Sequence, residues 1–254
     1  MTLPAVALPP GFFDRPFAHR ALHGPARPEN SREAIKAALE GGYSIEVDVQ
    51  LSQDGVAMVF HDYGLKRLTG EAGTVQTTSA SQLGATLLLG GPSGAPTLAE
   101  TLALVAGRVP LAIEIKDQDG AMGPNVGVLE KAVATALQEY HGPVAVMSFN
   151  PHAVAAMGEI APNIPRGLTT CTYTAEDWPT VPAARRAELA PIPDFDRLGA
   201  SFISHDSTAL TDPAVAKLKS RGVPVLTWTI KSQDEADEAL QIADQITFEG
   251  YTPA

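Results

Sequence analysis

A chain of 254 residues with 44% hydrophobic and 19% charged residues can bury a sizeable core and has the makeup of an ordinary globular protein. Its formal net charge of -11 excludes nucleic acid as a main partner, because a phosphate polymer would meet a repulsive surface. A small phosphate ligand stays open, since one metal ion or two basic side chains reverse the potential inside a pocket.

The lone cysteine, Cys171, permits no intrachain disulfide, so a reducing compartment is the simpler setting. The N-terminal stretch has no basic n-region and is broken by Pro4, Pro9 and Pro10, which makes it a poor signal peptide. No window approaches the roughly 18 uninterrupted apolar residues of a membrane span. The expectation is a cytoplasmic protein without stable membrane insertion, a monomer or homodimer acting on a small molecule.

In chain order, residues 17–21 predict a first strand and 31–39 a helix, capped by Asn30 or Ser31 and ended by Gly41-Gly42. Strands follow at 44–51 and 56–61. Residues 62–97 then break the rhythm with a stretch rich in Gly, Ser and Thr, too long for a normal connection. Beyond it, strands at 111–116, 144–149, 167–170, 202–205, 223–230 and 245–248 alternate with helices at 98–105, 126–140, 151–160, 212–220 and 233–242. Such alternation over the whole chain predicts a single α/β domain, 1–254, folded as a (β/α)8 TIM barrel with a small insertion after the third strand. No GxGxxG or GxxxxGK[ST] supports a nucleotide-binding open sheet.

Charges inside two strands carry the chemistry. Along 44–51, Ile45, Val47, Val49 and Leu51 share one face, while Glu46, Asp48 and Gln50 share the other. Along 111–116, Leu111, Ile113 and Ile115 oppose Glu114 and Lys116. A half-wet antiparallel sheet would show the same alternation. In a parallel barrel the apolar face is needed against the helices, so the charged face points inward. Three carboxylates there need compensation. A divalent cation bound by oxygen ligands, Mg2+ or Ca2+, is one answer, and a salt-bridge network with Lys116 is the other.

His19 and His61 each end a predicted strand, where barrel chemistry gathers, and imidazole suits proton transfer near neutral pH. Arg20 and Lys116 supply positive groups for phosphate oxygens. His205 also lies at a strand end and is a further candidate for the pocket, whereas pattern alone leaves Trp228 equally open to core packing and substrate contact.

Taken in order, His19-Arg20, Pro28-Glu29-Asn30-Ser31, Glu46-Val47-Asp48, Asp54-Gly55, His61-Asp62, Glu114-Ile115-Lys116, Ser148-Phe149 and Thr227-Trp228-Thr229 form a pattern. It resembles that of the glycerophosphodiester phosphodiesterase family, and it spans nearly the whole chain. The resemblance implies a TIM barrel that hydrolyses glycerophosphodiesters to sn-glycerol 3-phosphate and an alcohol, in lipid and glycerol metabolism. It implies that Glu46, Asp48 and Glu114 hold the metal and that His19 and His61 act as the acid/base pair. Arg20 and Lys116 become phosphate contacts, Glu29 a polar member of the site, and Phe149 and Trp228 pocket walls.

Two departures bear on the alcohol accepted. Ala21 stands where the family usually has glycine, followed by an extra His23; Thr247-Phe248-Glu249-Gly250 replaces a Thr-Asp-x-Pro-like ending. A lysophospholipase D-like enzyme is the nearest alternative, and it needs an acyl channel for which Leu87–Leu89 is the only apolar cluster of the insertion. A non-catalytic phosphate-binding barrel would be expected to lose a histidine or carboxylate, and none is missing.

Overall fold

The computed structural model describes residues 2–254. Its strands are β1 (Phe17–Ala18), β2 (Ser44–Leu51), β3 (Ala57–Val59), β4 (Leu111–Ile115), β5 (Val144–Ser148), β6 (Arg166–Thr170), β7 (Phe202–Asp206), β8 (Val225–Ile230) and β9 (Gln245–Phe248). Parallel pairing runs from β1 through β2, β4, β5, β6, β7, β8 and β9, and β9 pairs back to β1. Among the described residues this closes an eight-stranded parallel barrel, with β3 attached outside it.

The outer layer comprises α1 (Arg32–Gly41), α4 (Leu98–Val105), α5 (Val128–Leu137), α6 (Pro151–Ile160), α7 (Ala183–Leu189), α8 (Pro213–Lys219) and α9 (Gln233–Ala239). Short helices α2 (Lys66–Thr69) and α3 (Ala80–Ala85) belong to the insertion. Ser31 rather than Asn30 caps α1, its hydroxyl accepting from the Ala34 amide. Asp212 and Ser232 cap α8 and α9 in the same way. None of these helices is long and apolar enough to cross a membrane.

Alternation within each strand sorts residues into two layers. Outward Ile45, Val47, Ile113, Val146 and Ile203 pack with Ile35, Leu98, Val133 and Val154 of the helices. Each such buried side chain contributes about 1.5–3 kcal/mol. Inward Phe17, Ala112, Ala145, Met147, Phe202 and Leu226 fill the lower barrel, and Phe12 of the N-terminal segment closes it from below. Phe202 fits because Gly167 on the neighbouring strand lacks a side chain; a Cβ there would lie 2.5 Å from the Phe202 ring.

Two predicted strands differ. The first stops at Ala18, because Arg20 and Ala21 adopt φ of 52° and 63° and turn the chain back over the barrel mouth. This left-handed turn is the conformation that favours glycine. The second difference is larger: residues 57–59 run antiparallel to β2, with Val59 opposite Val49. They do not form a barrel strand. Residues 62–97 follow this hairpin and build a small core of their own, in which Leu65, Leu68, Val75, Leu83 and Leu88 pack on Met58 and Phe60.

Candidate active site

Glu46 and Asp48 of β2 and Glu114 of β4 all project inward at the carboxyl end of the barrel, with Asp48 directly beside Glu114 across the strand pair. Ligand oxygens of the three lie within 4.8 Å of one another, and all three residues are buried. Lys116, two residues beyond Glu114 on the same face, donates to Asp48 Oδ1 at 2.6 Å and also to Glu114 Oε1. Arg20 lies on the other side, its Nε 3.7 Å from Asp48 and its backbone amide donating to Glu46 Oε2 at 2.9 Å. Asn30 fixes Asp48 from behind, Nδ2 to Oδ2, at 2.8 Å.

The salt-bridge network with Lys116 is present, and the three carboxylates remain grouped closely enough to hold a cation. Burial would raise Asp48, but Lys116, His61 and Arg20 outweigh it and hold its carboxyl far below the usual range. Burial lowers the Lys116 ammonium, yet Asp48 and Glu114 outweigh it and raise the group above its ordinary value. Glu46 is left over: burial, then the neighbouring Asp48 and Glu114, push it well above the normal carboxyl range. Three carboxylates therefore face two cationic side chains. The donor set fits a hard divalent cation, whose charge would let Glu46 ionise alongside the other two.

His19 and His61 both line the deep cavity alongside Glu46 and Glu114. Each has Nδ1 on a carboxylate: His19 on Glu249 Oε2 at 2.8 Å, and His61 on Asp62 Oδ1 at 2.8 Å. That pairing fixes Nδ1 as the protonated nitrogen and leaves Nε2 as the free one. Burial lowers His19 below its ordinary value despite the Glu249 bond. His61 reaches the mouth by an unforeseen route. It follows β3, so the hairpin carries it back down to the level of Asp48, whose carbonyl accepts from the Phe60 amide at 3.0 Å.

The cluster opens into two connected spaces. A deep cavity of about 90 Å³ is bordered by His19, Arg20, Glu46, Glu114, Lys116 and Phe149. An outer cavity of about 600 Å³ shares His61, Glu114, Lys116, Phe149 and Trp228 with it and extends to Tyr63, Met122 and Trp178. Phe149 and Trp228 meet edge to face at 5.5 Å, forming one wall.

Three predicted positions do not border these cavities: Asp48 lies buried against Lys116 and Arg20, and Glu29 and His205 meet other partners. Glu29 spends its oxygens elsewhere: Oε1 accepts from Arg20 at 2.9 Å, and both oxygens accept from Arg67 at 2.8 Å. It ties Arg20 to the insertion. His205 alternates to the helix-facing side of β7, buried, with Nδ1 on the Thr170 hydroxyl at 2.8 Å; its neighbours Ser204 and Asp206 face inward instead. Leu87 and Leu89 form no acyl channel, being 57% and 59% exposed and lining neither cavity.

Sequence reasoning gave no site role to Asn30 or to the Asp62–Arg67 pair, and noted Glu249 only within an altered strand end that bears on the alcohol accepted. Asn30 carried a signal within Pro28-Glu29-Asn30, but it was read as a helix cap. Glu249 carried only its position at the end of the last strand.

A ring of carboxylates, histidines and phosphate-sized basic groups on the carboxyl face of a (β/α)8 barrel defines a barrel hydrolase of phosphate esters. The glycerophosphoryl diester phosphodiesterase family model matches residues 19–244, and the chain belongs to that family of phosphoric diester hydrolases. A glycerophosphodiester phosphodiesterase of Caldanaerobacter subterraneus is 26% identical over 224 residues, covering 84% of this chain and 85% of the relative. One from Bacillus altitudinis is 31% identical over 163 residues, 61% of this chain and 65% of its own length. Among solved structures, an Oleispira antarctica phosphodiesterase in complex with the product sn-glycerol-3-phosphate superposes with a TM-score of 0.77 at 24% identity, covering 94% of both chains.

Proposed function

We propose that the protein hydrolyses glycerophosphodiesters to sn-glycerol 3-phosphate and an alcohol, with one divalent cation, Mg2+ or Ca2+, held by Glu46, Asp48 and Glu114. The observation that carries this reading is the convergence of three buried carboxylates with two histidines, each held through Nδ1 by its own carboxylate. The relative crystallised with sn-glycerol-3-phosphate supports the substrate class.

When bound, the cation supplies Lewis-acid stabilisation of charge on the phosphate oxygens. Lys116 and Arg20 bind the same oxygens. Arg20 Nε is buried without a hydrogen-bond partner, a cost that a phosphate oxygen would relieve. His19, which borders only the deep cavity, accepts at Nε2 the proton of the attacking oxygen as its bond to phosphorus forms. His61, which borders both cavities, enters as the imidazolium stabilised by Asp62 and gives its Nε2 proton to the alcohol oxygen as the bond from that oxygen to phosphorus breaks, ending as the neutral ring. Phe149 and Trp228 keep water from the ester on the alcohol side.

In this reading the chain is one catalytic domain with residues 62–97 as an insertion on its rim, working in the cytoplasm. Replacing His19 or His61 by Asn lowers kcat about 10²–10⁴-fold with an unchanged circular dichroism spectrum. Near-normal turnover of glycerophosphocholine by either variant would remove the two-histidine mechanism.

A further inference from the structure

The outer cavity is larger than a phosphate and glycerol unit requires, and its far end has a chemistry distinct from the catalytic end. Its wall is built by two loops laced together. One follows β4 and contributes Met122; the other follows β6 and contributes Trp178. Arg185 Nε donates to the Met122 carbonyl at 3.0 Å, and the Thr180 hydroxyl donates to the Gly120 carbonyl at 2.9 Å. Trp178 packs on Phe149 with ring centres 4.7 Å apart, extending the Phe149–Trp228 wall outward. All three rings are only partly buried and so keep surface for a ligand.

Charge divides the same space. The catalytic end holds Lys116 and His61, the basic residues of this cavity's lining, together with Glu114, Asp62 and the buried Asp117. The far end holds Asp177 and Asp206, which face the cavity beside the aromatic wall. Asp206 lies directly opposite Trp228 in the strand pairing. Asp177 accepts from the Thr174 hydroxyl at 2.6 Å, and Asp206 accepts from the Thr208 amide and hydroxyl at 2.9 Å each. Among the described residues neither has a basic side chain as partner. Asp62, by contrast, is neutralised by a two-point pair with Arg67.

From this division we infer that Trp178, Asp177 and Asp206 form a leaving-group compartment selective for a small cationic amino alcohol. The inference rests on the diester hydrolase reading above and adds the class of alcohol to it. A diester of this kind is a zwitterion, with its phosphate anion a few bonds from an ammonium group. With the divalent cation of the proposed function bound, that cation, Lys116 and His61 would offset Glu46, Asp48 and Glu114 at the phosphate end, while Asp177 and Asp206 stay without a basic partner beside the aromatic faces. An ammonium group, quaternary or primary, is attracted both to carboxylates and to the faces of Trp rings. A neutral polyol gains neither interaction, and an anionic head group is repelled.

The test compares kcat/KM of the full chain with its divalent cation for glycerophosphocholine and glycerophosphoethanolamine against glycerophosphoglycerol. The cationic diesters are expected to lead by at least about tenfold. Trp178→Leu and the isosteric double change Asp177→Asn with Asp206→Asn are each expected to cut that ratio about tenfold. The Asn changes keep the local hydrogen bonds, so they report on charge even where Trp178→Leu disturbs the wall. Equal turnover of cationic and neutral diesters by the wild type, or an unchanged ratio in the Asn variant, overturns the inference and leaves the hydrolase reading standing. No turnover of any diester would overturn both.

Discussion

The imidazole of His19 hydrogen-bonds through Nδ1 to the Glu249 carboxylate at 2.8 Å, joining the first barrel strand to the end of the last across 230 residues of chain. The hydrogen bond from His19, with His23 Nε2 nearby at 3.5 Å, holds the Glu249 carboxyl well below its usual range, so it stays ionised at any working pH. A fixed anion there orients the ring and stabilises the imidazolium that forms when Nε2 takes a proton. Glu249→Gln keeps an acceptor for Nδ1 but removes the charge. It is expected to lower kcat about 10–100-fold with little change in KM, as read from steady-state kinetics. A raised KM with unchanged kcat would mean that Glu249 serves binding instead.

Acid sensitivity follows from the histidines. Burial lowers His19, His152 and His205 below the ordinary value of about 6.5. Below that pH the unfolded chain takes up protons that the fold resists. Their stabilising contribution is therefore complete above about pH 6.5 and is lost as pH falls through the depressed folded values. His205 is the cleanest probe, being buried on the helix side of β7 and away from the site. In His205→Asn the fall in Tm between pH 6.5 and 5.5 becomes shallower. A slope identical to that of the wild type would remove His205 from the account.

The lower barrel makes a packing prediction. Gly167→Ala puts a methyl into the Phe202 ring, at a distance that real side chains avoid. Overpacking of this kind costs about 1–3 kcal/mol, measurable by urea unfolding. Combining it with Phe202→Leu restores part of the loss, because the two changes share one contact. Purely additive losses would show that the clash is absorbed elsewhere.

Much of this was legible in the sequence because period-2 alternation has few alternatives. Glu46, Asp48, Glu114 and Lys116 had to share the inner face once Ile45, Val47, Ile113 and Ile115 were assigned to the helices. The same alternation would have turned His205 outward had its register been followed from Phe202. His61 lies at the barrel mouth, but at the end of a returning hairpin and not of a barrel strand. A three-residue strand such as β3 has no periodicity with which to distinguish a barrel strand from a returning hairpin, so its direction was invisible. Glu249 was not tied to His19 because that partner is fixed by tertiary contact, whereas Asp62 stood in view beside His61 and was given no role. Nothing in a lone Glu at a strand end says that a histidine 230 positions away will meet it.

The central claim is that a divalent cation held by Glu46, Asp48 and Glu114 is required for diester hydrolysis. It is tested most directly by assaying glycerophosphocholine hydrolysis after EDTA treatment and again after adding Mg2+, Ca2+ or Mn2+, with Glu114→Gln in parallel. The account predicts sn-glycerol 3-phosphate as product, loss of turnover with EDTA, recovery with at least one cation, and no recovery in folded Glu114→Gln. Full turnover in EDTA, or near-normal activity of Glu114→Gln, would contradict it.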